Sequence, residues 1–201
     1  MPAVALGFYV MFLVTTLGLR SLVQYRRTGD HGLRRFSGEN RSMGVLCSML
    51  LIMGVVLAGA APIAELLDLS EPPAVVNNLW LRGMGLVPAI VGMAVVIAAQ
   101  YQMGNSWRIG VEPRETTPLI TFGLFGIVRN PIFSGMLLAT GGMLTMVPSL
   151  ISAVAFASLF VGLQTQVRLI EEPHLVRVHG NPYLSYAGLV GRFLPWIGRL
   201  A

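Results

Sequence analysis

Five apolar stretches govern what this chain can become. They run from about Ala3 to Leu19, Met43 to Leu67, Leu79 to Tyr101, Ile132 to Val147 and Leu150 to Val167. Roughly 20 apolar residues cover the hydrocarbon of a bilayer as a helix. Lipid offers backbone N–H and C=O groups no partner, so each stretch must close its hydrogen bonds within itself. The expected fold is an all-α membrane protein with five transmembrane helices. Pro62 is expected to kink or thin the far end of the second span, and Pro148-Ser149 to turn the chain tightly between the fourth and the fifth. Composition agrees: 54% of the 201 residues are hydrophobic and 11% charged, about half the charged share of a soluble domain.

The charges alternate from loop to loop. Arg20, Arg26, Arg27, Arg34, Arg35 and Arg41 lie between the first two stretches, against Asp30 and Glu39. The next loop holds Asp68 and Glu71, with no base before Arg82. Arg108, Arg114 and Arg129 fall in the Gln102–Pro131 connector, and Arg168, Arg177, Arg192 and Arg199 in the tail. Basic loops stay on the cytoplasmic side. That rule puts the N-terminus outside and the C-terminus in the cytoplasm, in accord with an odd number of spans. No Arg precedes the first apolar run, the reverse of a signal peptide's order, so it reads as a retained span. The net charge of +5 follows from the same bias, and nucleic acid is not an expected partner. Cys47, alone within an apolar run, reads as a packing residue with no disulfide or metal role.

Two polar clusters flank the hairpin formed by the fourth and fifth spans. Before it stand Gly123, Gly126 and Arg129-Asn130-Pro131. After it the tail reads E-E-x2-L-x4-G-x2-Y-x2-Y-x5-R-F-x-P, from Glu171 to Pro195. The glycines allow close backbone approach to a ligand. Pro131 suits the first turn of a helix, whose free N–H groups favour an anion. Arg129 is placed either to meet such an anion or to snorkel to headgroup phosphates, with Asn130 as helix cap. Glu171 and Glu172 oppose the dipole of the helix they end, and either pair with Arg168 one turn earlier or accept hydrogen bonds from a ligand. Tyr183 and Tyr186 share a helix face, as interfacial anchors or as a stack for a purine or a cationic sulfur. Trp107 reads as an interface anchor, and Gln100, Gln164 and Gln166 as polar groups that bond across helices or line a cavity. Gly135, Ala139, Gly141 and Gly142 give the fourth span a small surface for close packing. His174 and His179 lack partners at metal-ligand spacing, so no metal is expected.

Taken jointly, these residues resemble the integral-membrane methyltransferases related to isoprenylcysteine carboxyl methyltransferase and the phospholipid methyltransferases. The family stretch G-P-Y-x3-R-H-P-x-Y-x-G is matched by Gly123-Leu-Phe125-Gly-Ile-Val-Arg129-Asn130-Pro131-Ile-Phe133-Ser-Gly135. The family's E-E-x2-L-x3-F-G-x2-Y-x2-Y is matched from Glu171 to Tyr186, with an Arg192-Phe-Leu-Pro195 ending. Asn130 stands where the family has His, Phe125 and Phe133 where it has Tyr, and His179 where it has an aromatic residue. The likeness runs from about Met103 to Pro195.

The resemblance implies S-adenosylmethionine as methyl donor and S-adenosylhomocysteine as product. It implies a cofactor site made of Gly123, Phe125, Arg129, Asn130, Pro131, Glu172, Leu175, His179, Gly180, Tyr183 and Tyr186. The acceptor is then a membrane lipid or prenylated small molecule entering laterally from the bilayer. Arg168 or Arg192 would orient a carboxylate acceptor, and His174, His179 or Glu171 would serve as base for an amine or hydroxyl. The expected organisation is one domain, 1–201, with three N-terminal spans in 1–101 and a catalytic half in 102–201. It would sit in a plasma membrane of bacterial type with the active site facing the cytoplasm. Two other classes remain: a non-catalytic membrane scaffold or sensor that keeps the cofactor pocket, and a small transporter using Arg82 and the membrane glutamines.

Overall fold

The computed structural model describes residues 1–36, 41–111 and 118–200. Glu39 and Arg114, counted among the loop charges, lie outside the described residues. Among the described residues the fold is helical apart from one short strand pair. Helix α1 (Pro2–Leu13) passes through a π-helical stretch, Val14–Leu19, into α2 (Arg20–Thr28), which ends on Gly29 in the left-handed region. Strand β1 (Leu33–Phe36) precedes α3 (Arg41–Leu66), which runs through Pro62 without ending there. Helices α4 (Leu79–Met84) and α5 (Leu86–Met103) form one run, followed by β2 (Ile109–Val111). Helices α6 (Pro131–Met146) and α7 (Leu150–Gln166) make the hairpin. A π-turn, Val167–Glu171, leads from α7 into α8 (Glu172–His179), and α9 (Asn181–Leu189) follows.

Among the described residues four helical runs are long and apolar enough to cross a membrane: Pro2–Thr28, Ser42–Leu66, Leu79–Ser106 and Leu150–His179. The fourth of the five expected spans is shorter, with 16 residues in α6. At about 1.5 Å per residue it is roughly 24 Å long, less than the roughly 30 Å of a hydrocarbon core. It is held by close packing instead. A Cβ at Gly92 would stand 2.5 Å from the Gly135 carbonyl oxygen, and one at Gly142 would stand 2.5 Å from that of Gly85. The helix pair therefore meets backbone to backbone, as small residues one and two turns apart allow. Gly141 takes no part, since a Cβ there meets only Phe156 at 3.6 Å. The hairpin turn is set by Ser149 and Ser152, which cap α7 reciprocally, while Ser152 Oγ also donates to the Val147 carbonyl at 2.6 Å.

Each end of the bundle has its own tie. At one end Arg82, 7% exposed, donates to Glu65 Oε1 at 2.5 Å, to the Met146 carbonyl at 2.8 Å and to Asn77 Oδ1 at 3.2 Å. Arg82 thus binds α3, α4 and α6 together, which removes the charge that a transport path was expected to use. Beneath it Ala5, Phe8, Ala61, Ala89, Met143 and Met146 form a buried core. At the other end the basic segments converge. β1 pairs with β2 in parallel, Arg20 Nη2 donates to the Gly104 carbonyl, and Gln24 Nε2 donates to that of Asn105 at 2.8 Å. The tail joins there too, through Arg129 N to the Gly191 carbonyl at 2.8 Å. Between the ends Met49, Ile52 and Val56 form an exposed apolar stripe along α3, the surface a lipid contact requires.

Candidate active site

The two motifs meet on one buried carboxylate. Glu172 opens α8, and its Oε1 accepts from Arg129 Nη2 at 2.6 Å and from Arg192 Nε at 2.7 Å. Its Oε2 accepts from Arg192 Nη2 at 2.9 Å. All three residues are under 9% exposed. Arg129 does more than pair. Its Nη1 donates to the carbonyls of Ala187 at 2.8 Å and Val190 at 2.6 Å, and its Nη2 also to that of Gly198 at 3.0 Å. Of the nitrogens of Arg129, Nε is the one buried with no partner among the described residues. A guanidinium buried with one carboxylate needs its remaining protons met by carbonyls, and the tail supplies them. The Glu172 hydrogen bond holds the Arg192 guanidinium above its ordinary pKa.

The residues around this network lock the connector to the tail. Asn130 stands at the N-cap position of α6 but does not cap it; its Nδ2 donates to the Arg192 carbonyl at 3.1 Å, as its backbone N–H also does. Ser134 Oγ donates to the Phe193 carbonyl at 2.7 Å. Gly123, at φ +62, faces Gln102, whose amide would lie 2.6 Å from a Cβ there. Gln102 Oε1 accepts from Leu124 N at 2.9 Å. The close approach expected at Gly123 is thus made by the chain's own glutamine.

Several expectations need correction. Tyr183 is 2% exposed and lies edge-on to Tyr186 at 6.2 Å between centroids. Tyr186 donates to the Phe125 carbonyl at 2.6 Å. Neither is an interfacial anchor, because both rings are used inside the fold. Burial pushes the Tyr186 phenol up to about 12 and raises that of Tyr183 as well. Trp107 is 2% exposed, with the Arg20 guanidinium 4.8 Å from its ring centroid, so it anchors a loop and not a lipid surface. Arg168 pairs with neither glutamate. It is exposed and donates to Gln164 Oε1 at 3.1 Å.

Glu171 stands apart from its neighbour. It ends the π-turn, is half-buried, and accepts from Gln166 Nε2 at a long 3.4 Å. Leu175, His179 and Gly180 follow along and just beyond α8, all half-buried. Gly180, at φ +59, has nothing within 4 Å of where a Cβ would project. Of the membrane glutamines, Gln100 does bond across helices, to the Thr16 carbonyl at 2.9 Å. Among the described residues no three His, Cys, Asp or Glu side chains gather as a metal-ligand set.

The model of the phospholipid methyltransferase family matches residues 80–182, a stretch that holds Arg129, Glu171 and Glu172. Protein-S-isoprenylcysteine O-methyltransferase A of Arabidopsis thaliana is 30% identical over 155 residues, 76% of this chain and 79% of that protein. The chain belongs to this family of integral-membrane methyltransferases. Protein-S-isoprenylcysteine O-methyltransferase of Mus musculus is 26% identical over 127 residues, 62% of this chain and 45% of that one. The solved eukaryotic intramembrane Ras methyltransferase ICMT shares the fold at a TM-score of 0.55 and 18% identity, over 80% of this chain and 52% of its own. The chain spans about half the length of that solved protein. Within the family match, Gln102 and Ser134 tie down the segments around the candidate site and were passed over in the sequence reading. Each is an unexceptional polar residue whose partner is a backbone group, and nothing in its local pattern marks it. Glu65 was missed for a different reason: it is an acid inside an apolar run, paired across a loop with the next base, Arg82.

Proposed function

We propose that this chain transfers a methyl group from S-adenosylmethionine to a lipophilic acceptor entering from the bilayer, with S-adenosylhomocysteine as product. The observation that carries the reading is that Glu172 draws both motifs of a methyltransferase family into one buried network. The residues fit a donor with their roles redistributed. Arg129 commits four of its five N–H donors to the chain, and both Glu172 oxygens are paired. These two shape the site. Glu171 is the carboxylate placed to accept from the donor's ribose hydroxyls or ammonium, with Leu175, His179 and Gly180 beside it. The network holds two guanidiniums against one carboxylate, and its surplus positive charge favours the donor's own carboxylate nearby.

Bound there, S-adenosylmethionine supplies a methyl group on a cationic sulfur, activated for in-line displacement. Such a displacement asks the protein for alignment and dryness more than for proton transfer. Phe125, Tyr183 and Tyr186 give apolar walls, and the network fixes the tail that carries the last two. The prenyl-linked acceptor is carried over from relatives named for protein-S-isoprenylcysteine. A lipid-linked carboxylate, hydroxyl or amine fits the same chemistry. The arginine bias of the converging segments supports a cytoplasmic location for this end. The deciding experiment incubates purified protein with labelled donor and native lipid extract and identifies the labelled species. Calorimetry showing no donor binding by folded protein, in both detergent and lipid, overturns the reading.

One observation favours a second reading, a membrane scaffold or sensor. The motif residues satisfy one another, and Asn130 cannot titrate where the family has His. That reading expects donor binding with no methyl transfer to any component of the extract.

A further inference from the structure

Away from the network a cavity of about 330 Å³ opens between the first helical rod and the end of α5. Its apolar wall is Leu19, Val23 and Ile97, and its polar rim includes Arg20, Arg27 and Tyr101. Among the described residues, none that lines it belongs to the Arg129–Glu172–Arg192 network and none carries a carboxylate. Arg20 and Arg27 are seven residues apart, two helical turns, and so share a face of α2. Their like charges meet at this rim, and among the described residues no acid lines it. Arg20 is fixed in place by the Gly104 carbonyl and the Trp107 ring, while its Nε is buried without a partner among the described residues. Arg27 is exposed, and Tyr101 stands 81% exposed at the mouth. The level is that of a membrane interface, where an apolar run meets a basic helix end and an aromatic side chain. The π-helical stretch Val14–Leu19 lines the wall through Thr15 and Leu19, and such widened turns recur at binding sites.

We infer that this cavity binds an anionic phospholipid, its phosphate between Arg20 and Arg27 and an acyl chain against Leu19, Val23 and Ile97. Two cations above an apolar slot match a molecule with one charged end and one apolar end. A zwitterionic lipid brings its own cation to that rim and is disfavoured. The site is separate from the proposed donor site and does not depend on methyl transfer.

The test is native mass spectrometry of the full chain released from micelles doped with phosphatidylglycerol or phosphatidylcholine. Phosphatidylglycerol should stay bound in preference. Arg27→Gln should cut its retention about fivefold, the weight of one basic side chain at an anionic surface, and Arg27→Lys should restore it. Val23→Trp, which fills the slot, should abolish retention while the melting temperature holds. Equal retention of the two lipids by the wild type overturns the assignment. So does wild-type retention by Arg27→Gln or by a folded Val23→Trp, and so does displacement of the lipid by inorganic phosphate alone.

Discussion

Arg129 Nη2 meets Glu172 Oε1 at 2.6 Å across 43 residues of sequence, and Arg192 reaches the same oxygen from 20 residues beyond. One carboxylate therefore joins the start of the hairpin, its end and the tail. Glu172→Gln should leave two buried guanidiniums without a counter-charge, at a cost of about 3–5 kcal/mol. Denaturation in detergent reads this directly, and Glu172→Gln with Arg192→Met should recover part of the loss. A single Glu172→Gln variant as stable as the wild type would remove the network from any account of the fold.

The adjacent glutamate should behave differently. Glu171 is half-buried with one long hydrogen bond, so Glu171→Gln should leave the melting temperature nearly unchanged. If it receives the donor, affinity should fall by about 1.5–3 kcal/mol, the weight of a hydrogen bond to a charged group. Arg168→Ala, at an exposed side chain, should alter stability by about 0.5 kcal/mol or less. Calorimetry with S-adenosylmethionine on all three proteins separates scaffold from site. Unchanged donor affinity in Glu171→Gln takes that residue out of the proposal.

Tyr186 gives a pH signature. Its phenol is raised from 10.0 to about 12 by burial. Its neutral form is thus favoured in the folded state, and that contribution is whole below pH 10. Above pH 10 the unfolded phenol ionises while the folded one does not, so stability should decline through to about pH 12. Tyr186→Phe should lower stability by about 1 kcal/mol, the lost bond to the Phe125 carbonyl, and flatten the alkaline slope. Melting temperature against pH for both proteins is the check. Identical slopes would show that another group governs the alkaline limb.

The helix seam makes a contrast between neighbours. Gly142→Ala places a Cβ 2.5 Å from the Gly85 carbonyl oxygen, whereas Gly141→Ala meets only an aromatic edge at 3.6 Å. The first should separate α5 from α6 and lose several degrees of thermal stability, with an overpacking cost of about 1–3 kcal/mol. The second should be tolerated, and Gly→Ala at that half-buried position can even help the helix. Equal effects from the two would contradict the seam.

The helices were legible because lipid leaves the backbone a single solution, and apolar length reports it. The convergence of the basic segments was legible as charge bias. The pairing inside the site was not. Arg129 was matched to an external anion, yet the carbonyls that satisfy it come from Ala187, Val190 and Gly198, positions whose side chains say nothing about their backbone. Arg168, one turn from both glutamates, looked like their partner. The rotation introduced by the π-turn Val167–Glu171 gives that place to residues far away in sequence. The family resemblance identified the motif residues but carried no information about which of them face each other.

That widened turn has a consequence of its own. A π-turn holds one more residue than the regular helix would, so α7 and α8 are out of phase with each other. The stripe that α7 presents to its membrane neighbours and the stripe that α8 presents to the tail are set separately. The bilayer half of the rod can therefore change its partners without turning Glu172 away from Arg192. Removing any one residue from 167–171 would restore a uniform spiral and swing α8 by about 100°, aiming the Glu172 carboxylate at the wrong side of the molecule.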